Sequence, residues 1–192
     1  MVLPSRFTVV YDACVLYPAS IRDLLLQLAT TELVRAKWTE RIHEEWIENL
    51  LVNRPELTRE RLEKTRDKMN TIPDCLISGY EQLEAGLELP DAGDRHVLAA
   101  AIHGGAQAII TFNLTDFPES ELNKHNVAAI HPDEFVLDLV DLDSQVVLAS
   151  VQKILQRLKN PRLAMAQYIE ILRKNQLSQF AIYLANLESS VP

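Results

Sequence analysis

The chain has 192 residues, 47% of them hydrophobic and 24% charged, a balance that supports a folded core and excludes a mainly disordered chain. No apolar run is long enough to cross a bilayer, and residues 1–6 lead straight into a β-type run without a basic-then-apolar leader, so no membrane association and a cytoplasmic location are expected. The formal charge of −8 argues against binding nucleic acid through overall charge, so such a partner would have to meet a local basic patch.

The length predicts one main domain with an appendage. Phe7, Thr8, Val9, Val10 and Tyr11 predict a strand that ends at Asp12, and Pro18 precedes a helix with Ile21, Leu24, Leu25 and Leu28 on one face. Residues 33–38 predict a second strand. Thr39 then stands as the N-cap of a helix carrying Ile42, Trp46, Ile47 and Leu50. Thr58 caps another helix that runs to about Met69, and Cys75, Leu76 and Ile77 form a possible short strand. Residues 91–94 open a helix through Val97, Leu98, Ala101 and Ile102 that ends at Gly104 and Gly105. Strands follow at residues 108–112 and 127–130.

Strands alternating with helices predict an α/β fold whose mostly parallel central sheet is flanked by helices, with the working site at the carboxyl ends of the strands. From Pro132 onward apolar residues recur only at helical spacing. Pro161 is expected to break this run before helices near 162–174 and 178–188. The expected division is therefore a main α/β domain over residues 1–142 and a helical C-terminal extension over 143–192, whose apolar faces pack on the domain or form a dimer or partner interface.

Asp12 falls at the carboxyl end of the first strand, in the crevice of such a sheet. Asp91 and Asp94 stand at a helix start, where capping and the helix dipole alone would account for them. Asp116 follows the strand ending near Phe112, and Glu45 lies on the helix opened by Thr39. Taken singly, each has an ordinary structural explanation; in chain order, all fall near one edge of the sheet. Converging carboxylates repel unless a cation lies among them. Mg²⁺ or Mn²⁺ suits oxygen ligands and keeps several waters, the requirements for phosphodiester hydrolysis.

The segment Val9 to Leu16 resembles the opening strand of PIN domains, Asp91 to Ala101 resembles their third acidic motif, and Ile109 to Phe117 resembles the fourth. The resemblance spans roughly residues 6 to 140. It implies a PIN fold, a divalent-metal ribonuclease, and similarity to VapC-type toxins that pair with an antitoxin. Carried over by position, Asp12, Glu45, Asp94 and Asp116 would be the catalytic acids, with Asp12, Asp94 and Asp116 on the metal. Glu44 competes with Glu45, but helix neighbours diverge by about 100°, and Glu44 with Glu48 would continue an outer charged face. Asn113 stands where many relatives carry Asp, so it can hydrogen-bond, or Asp116 can supply the charge, or the site is weakened. Thr111 could orient a water or phosphate, and Asp91 could assist.

Other residues have plainer readings. Cys14 and Cys75 lack metal or redox spacing and are expected in the core. His96 and His103 share a helix face and are expected to be partly exposed, with no third ligand for zinc. Trp38 and Trp46 could stack on bases, although their periodicity favours packing. Arg22 and Arg95 are candidate phosphate contacts with salt bridges as the alternative. The mixed charges of residues 35–68 predict a salt-bridged face. Two rival functions stand beside the ribonuclease: a PIN-like binding module without catalysis, and a phosphatase, which would need an Asp where Cys14 stands.

Overall fold

The β-branched and aromatic residues of Phe7–Tyr11 form strand β1, whose Val9, Val10 and Tyr11 have no solvent exposure. The computed structural model describes residues 7–158 and 162–189; residues 1–6 and Pro161 lie outside them. Along the chain come α1 (Ala13–Leu16), α2 (Ala19–Ala29), β2 (Val34–Lys37), α3 (Glu40–Asn53), α4 (Arg59–Met69), α5 (Glu81–Glu84) and α6 (Arg95–His103). Then follow β3 (Ala108–Ile110), α7 (Glu119–Leu122), β4 (Ala128–Ile130), α8 (Pro132–Arg157), α9 (Met165–Lys174) and α10 (Ser178–Ser189). Short 3₁₀ turns occupy Ala92–Asp94, Leu114–Asp116 and Asn123–His125.

The four strands are parallel and lie in the order β2-β1-β3-β4. The chain leaves β1 to one side for β2 and reaches β3 on the other side. The carboxyl ends of β1 and β3 therefore flank the switch point, where an open parallel sheet leaves a crevice. The expected strand at residues 75–77 is reduced to one parallel bridge between Trp38 and Leu76. Asp74 and Gly79 on either side take φ values of 56° and 80°, which turn the chain away before pairing can extend.

The caps fall where their side chains demand them. Thr39 accepts from the N–H of Ile42 at the start of α3, and Thr58 from that of Arg61 at the start of α4. Gly105 closes α6 with a left-handed φ of 62°, and a Cβ on Gly104 would lie 2.7 Å from Ile77 Cδ1. Trp38 and Trp46 are fully buried, which assigns them to packing. Their indole N–H groups are satisfied inside: Trp38 Nε1 donates to Asn70 Oδ1 at 2.9 Å and Trp46 Nε1 to His43 Nδ1 at 3.0 Å.

The helical tail packs on α2, and its Val147, Val151, Ile154, Leu172 and Phe180 join the core that covers the sheet. Helical geometry breaks inside α8 at Asp143, whose carboxylate accepts from the N–H groups of Gln145 and Val146 and restarts the helix. Asp133 near the start of α8 accepts from the N–H groups of Gln179 and Phe180, tying α10 to α8.

Candidate active site

Asp12 stands one residue beyond β1, with its own N–H donated to Ile110 O across the sheet at 3.1 Å. It is only 5% exposed, and both carboxylate oxygens have donors. Oδ1 accepts from the N–H of Ala13 at 2.6 Å, at the start of α1. Oδ2 accepts from the Thr111 hydroxyl at 2.7 Å and from the Cys14 thiol at 3.0 Å. Thr111 follows β3 and is fully buried, and its oxygen accepts in turn from the N–H of Asn113 at 3.0 Å. Thr111 therefore orients the carboxylate. Cys14 departs from its expected place in the core: it lines the cleft beside Asp12, because α1 begins there and turns it toward β3. Burial first, then the Asp12 charge, push its pKa up, so it stays a thiol and donates. Cys75 is buried as expected.

Asp12, Glu45, Asp94 and Asn113 line one cleft of about 360 Å³, together with Tyr17, Asn49 and Asn53. Asp94 ends the 3₁₀ turn before α6. Its pKa is pushed up to about 6, first by burial and then by the charges of Asp12, Asp91 and Asp116. Asp116 is not among the cleft-lining residues but stands close enough to act on Asp94. Asp91 is exposed and caps the turn by accepting from the N–H of Gly93 at 2.7 Å. Of the two neighbouring acids on α3, Glu45 enters the cleft, while Glu44 faces out and is held by Arg59 at 2.9 Å.

His96, expected to be partly exposed, is wholly buried, and its Nε2 lies 2.8 Å from Glu45 Oε1. Among the described residues neither Nε2 nor Nδ1 makes a hydrogen bond, so the contact with Glu45 is one of proximity. Sequence reasoning missed this pairing because the two residues lie on separate helices, and only the packing of α6 beside the sheet brings them together. Arg22 is also reassigned. Its guanidinium is largely buried, donates to the carbonyls of Leu16 and Tyr17, and sits 4.7 Å over the Trp46 ring, so it holds α1 to α2 and α3 and is not presented to a phosphate. Burial lowers its pKa to about 10, leaving it charged at neutral pH.

The oxygen-only acids of the cleft suit a hard divalent cation. Among the described residues, no three His, Cys, Asp or Glu side chains converge closely enough to hold a metal ion between them. The set fits a cation that keeps several waters and takes one or two protein carboxylates, as Mg²⁺ does. The pKa of Asp94 is raised first by burial and then by its acidic neighbours, and a cation would offset both by favouring the charged carboxylate.

The sequence profile of the PIN domain matches residues 8–115, more than half of the chain, and a profile described as the VapC50 C-terminal domain matches residues 132–186. Over 112 residues the chain is 33% identical to a protein of Mycobacterium tuberculosis (strain ATCC 25618 / H37Rv) named "Putative ribonuclease VapC50". That match covers 58% of this chain and 65% of the relative, short of two thirds of its length. No solved structure matches the chain significantly. Among the described residues, no helix is long and apolar enough to cross a membrane.

Proposed function

We propose, because the chain belongs to the PIN-domain family, that it is a divalent-cation-dependent endoribonuclease of the VapC type, acting as the toxin of a toxin–antitoxin pair. The observation that carries the reading is the cleft joining Asp12, Glu45 and Asp94, in which the charge of Asp94 is disfavoured until a cation arrives. The similarity to a relative named as a ribonuclease supports RNA as the substrate, and the VapC-type resemblance supports an antitoxin as partner.

In this reading Asp12 and Asp94 would hold Mg²⁺ or Mn²⁺, with Asp116 a further candidate carboxylate and Asn113 able to offer a neutral oxygen. A bound divalent cation supplies Lewis-acid stabilisation of the charge developing on the scissile phosphate and acidifies water. Thr111 and Cys14 keep Asp12 in one rotamer, so little reorganisation is needed when the substrate arrives. Glu45 takes the proton that the attacking water gives up as its oxygen bonds to phosphorus, and the ester P–O bond opposite breaks. The leaving oxygen is protonated from solvent.

A second reading, a PIN-like binding module without catalysis, is favoured by one observation: no three ligands converge among the described residues. A phosphatase has no such support, because the thiol of Cys14 occupies the position its acid would need. The test is cleavage of a mixed panel of structured RNAs with Mg²⁺ or Mn²⁺, comparing the wild type with Asp12→Asn and Asp94→Asn and with an EDTA control. Metal-dependent cutting lost in both variants is expected. A folded, metal-loaded protein that cuts none of them would leave the binding module as the better account.

A further inference from the structure

The charge of −8 leaves a question for any reading in which this chain acts on RNA: where are the phosphates held? Most basic residues of α3 and α4 are neutralised by neighbours, Arg41 by Glu45 and Glu84, Arg59 by Glu44, Lys64 by Glu60 and Arg66 by Asp67. Arg61 differs. It is exposed on α4, and among the described residues no carboxylate lies within 4 Å of it. Arg54 at the end of α3 pairs with Glu56, but both are more than half exposed, and such a pair contributes little and yields readily to a phosphate.

These two arginines share a groove of about 620 Å³ between α2 and the α3–α4 connection. Arg22 lies in its wall with its guanidinium turned inward onto Trp46 and the Leu16 and Tyr17 carbonyls, and no acidic residue lines it among the described residues. Leu50, Leu57 and Leu62 supply apolar surface. Tyr17, partly exposed, lines both this groove and the carboxylate cleft, so the two adjoin at this side chain. Along the cleft side, Asn49 and Asn53 follow Glu45 at helical spacing, leading over about 12 Å of α3 toward Arg54.

We propose that single-stranded RNA reaches the carboxylate cleft through this groove, with Arg54 and Arg61 holding phosphates and Tyr17 stacking on a base where groove and cleft meet. The proposal rests on the ribonuclease reading. A groove with one guanidinium free of carboxylates and a second in an exposed, easily exchanged ion pair complements a phosphate chain. The tyrosine and apolar floor suit bases turned outward, as in a single strand; a duplex hides its bases and offers mainly phosphates and sugar hydroxyls. The division of charge, negative where a cation is needed and positive where the chain enters, explains how an acidic protein can take an anionic polymer.

The test is the fluorescence anisotropy of a fluorescein-labelled 12-nucleotide single-stranded RNA titrated with the full chain in EDTA, where no cleavage intrudes. Arg54→Ala/Arg61→Ala is expected to weaken binding at least tenfold and to reduce the slope of log affinity against log salt by roughly 1.4, about 0.7 per lost phosphate contact. Tyr17→Leu is expected to weaken binding about tenfold with the slope unchanged, since stacking carries no counterion release. Arg35→Ala, on the edge strand β2, is the control and should change affinity less than about twofold. Wild-type affinity and slope in the double arginine variant would overturn the proposal, as would equal binding of the corresponding duplex. Cleavage separates the two readings. Arginine-dependent binding with no cutting under any divalent cation removes the nuclease and leaves the groove; Asp12-dependent cutting with an unchanged KM in the double variant does the reverse.

Discussion

His96 Nε2 lies 2.8 Å from Glu45 Oε1, joining a wholly buried imidazole on α6 to a carboxylate on α3 that opens into the cleft. The imidazole limits where the carboxylate can go without itself reaching substrate. His96→Leu replaces a buried ring lacking hydrogen-bond partners with an apolar side chain, so stability should change by less than about 1.5 kcal/mol, whereas Glu45 loses its restraint. We expect kcat to fall about tenfold with KM little altered, a cost near 1.4 kcal/mol in the transition state. Urea unfolding and steady-state cleavage read the two effects separately. Equal losses in both would mark His96 as a packing residue only.

Asp94 predicts a pH dependence with a definite sign. Its folded pKa of about 6 exceeds the ordinary 3.8, so between these values the folded state binds more protons than the unfolded state. The metal-free protein should therefore lose stability as pH rises through that window. After discounting for solvent screening at a partly exposed group, the loss is on the order of 1–2 kcal/mol. Asp94→Asn should flatten this slope and be the more stable protein at pH 7.5 in EDTA. Denaturant titrations of both proteins at pH 4.5 and 7.5 check it, and a steeper slope in the variant would contradict the assignment.

The Thr111 hydroxyl donates to Asp12 Oδ2 while accepting from the N–H of Asn113. Thr111→Val keeps the shape and removes both bonds, and should cost about 1–3 kcal/mol of stability because a buried acceptor and a partly buried donor lose partners. If Asp12 holds a cation, the affinity for Mn²⁺ should also drop about 10–100-fold, as when a partner that orients a metal ligand is lost. Isothermal titration with Mn²⁺ measures this. Unchanged Mn²⁺ affinity with lowered stability would show that the hydroxyl serves the fold alone.

Arg22 braces the interior where α1, α2 and α3 meet. Removing its guanidinium leaves the carbonyls of Leu16 and Tyr17 unpaired and the face of Trp46 uncovered. Arg22→Ala should destabilise by about 2–4 kcal/mol, and Arg22→Lys should not fully rescue, because a point charge cannot reproduce the planar fork. Thermal unfolding of both variants tests it; wild-type stability in Arg22→Ala would return this residue to the surface contacts.

Much of the architecture was legible because it depends on neighbours in the chain. The β-branched run before Asp12, the capping threonines at 39 and 58, and the glycines after His103 act through local sterics and hydrogen bonds, so strand, cap and stop could be read directly. The same locality failed at residues 75–77, where the apolar pattern predicts a strand but the turns at Asp74 and Gly79 leave only one bridge. Cys14 and His96 also escaped. A cysteine three positions beyond a strand end and a histidine within an apolar helix look alike whether they face a core or a cleft, until the opposing surface is known.

By itself the sequence determined the alternation of strands and helices and the acidic residue ending the first strand, because period and capping are properties of adjacent residues. Only the tertiary structure decided that β3 lies beside β1, so that Thr111 meets Asp12 from far along the chain. Only packing turned Glu45 rather than Glu44 into the cleft, buried His96 against it, and set the groove of Arg54 and Arg61 beside that cleft at Tyr17. The physical reason is that burial, desolvation and Coulomb interaction depend on distance in space, while the sequence specifies order along the chain.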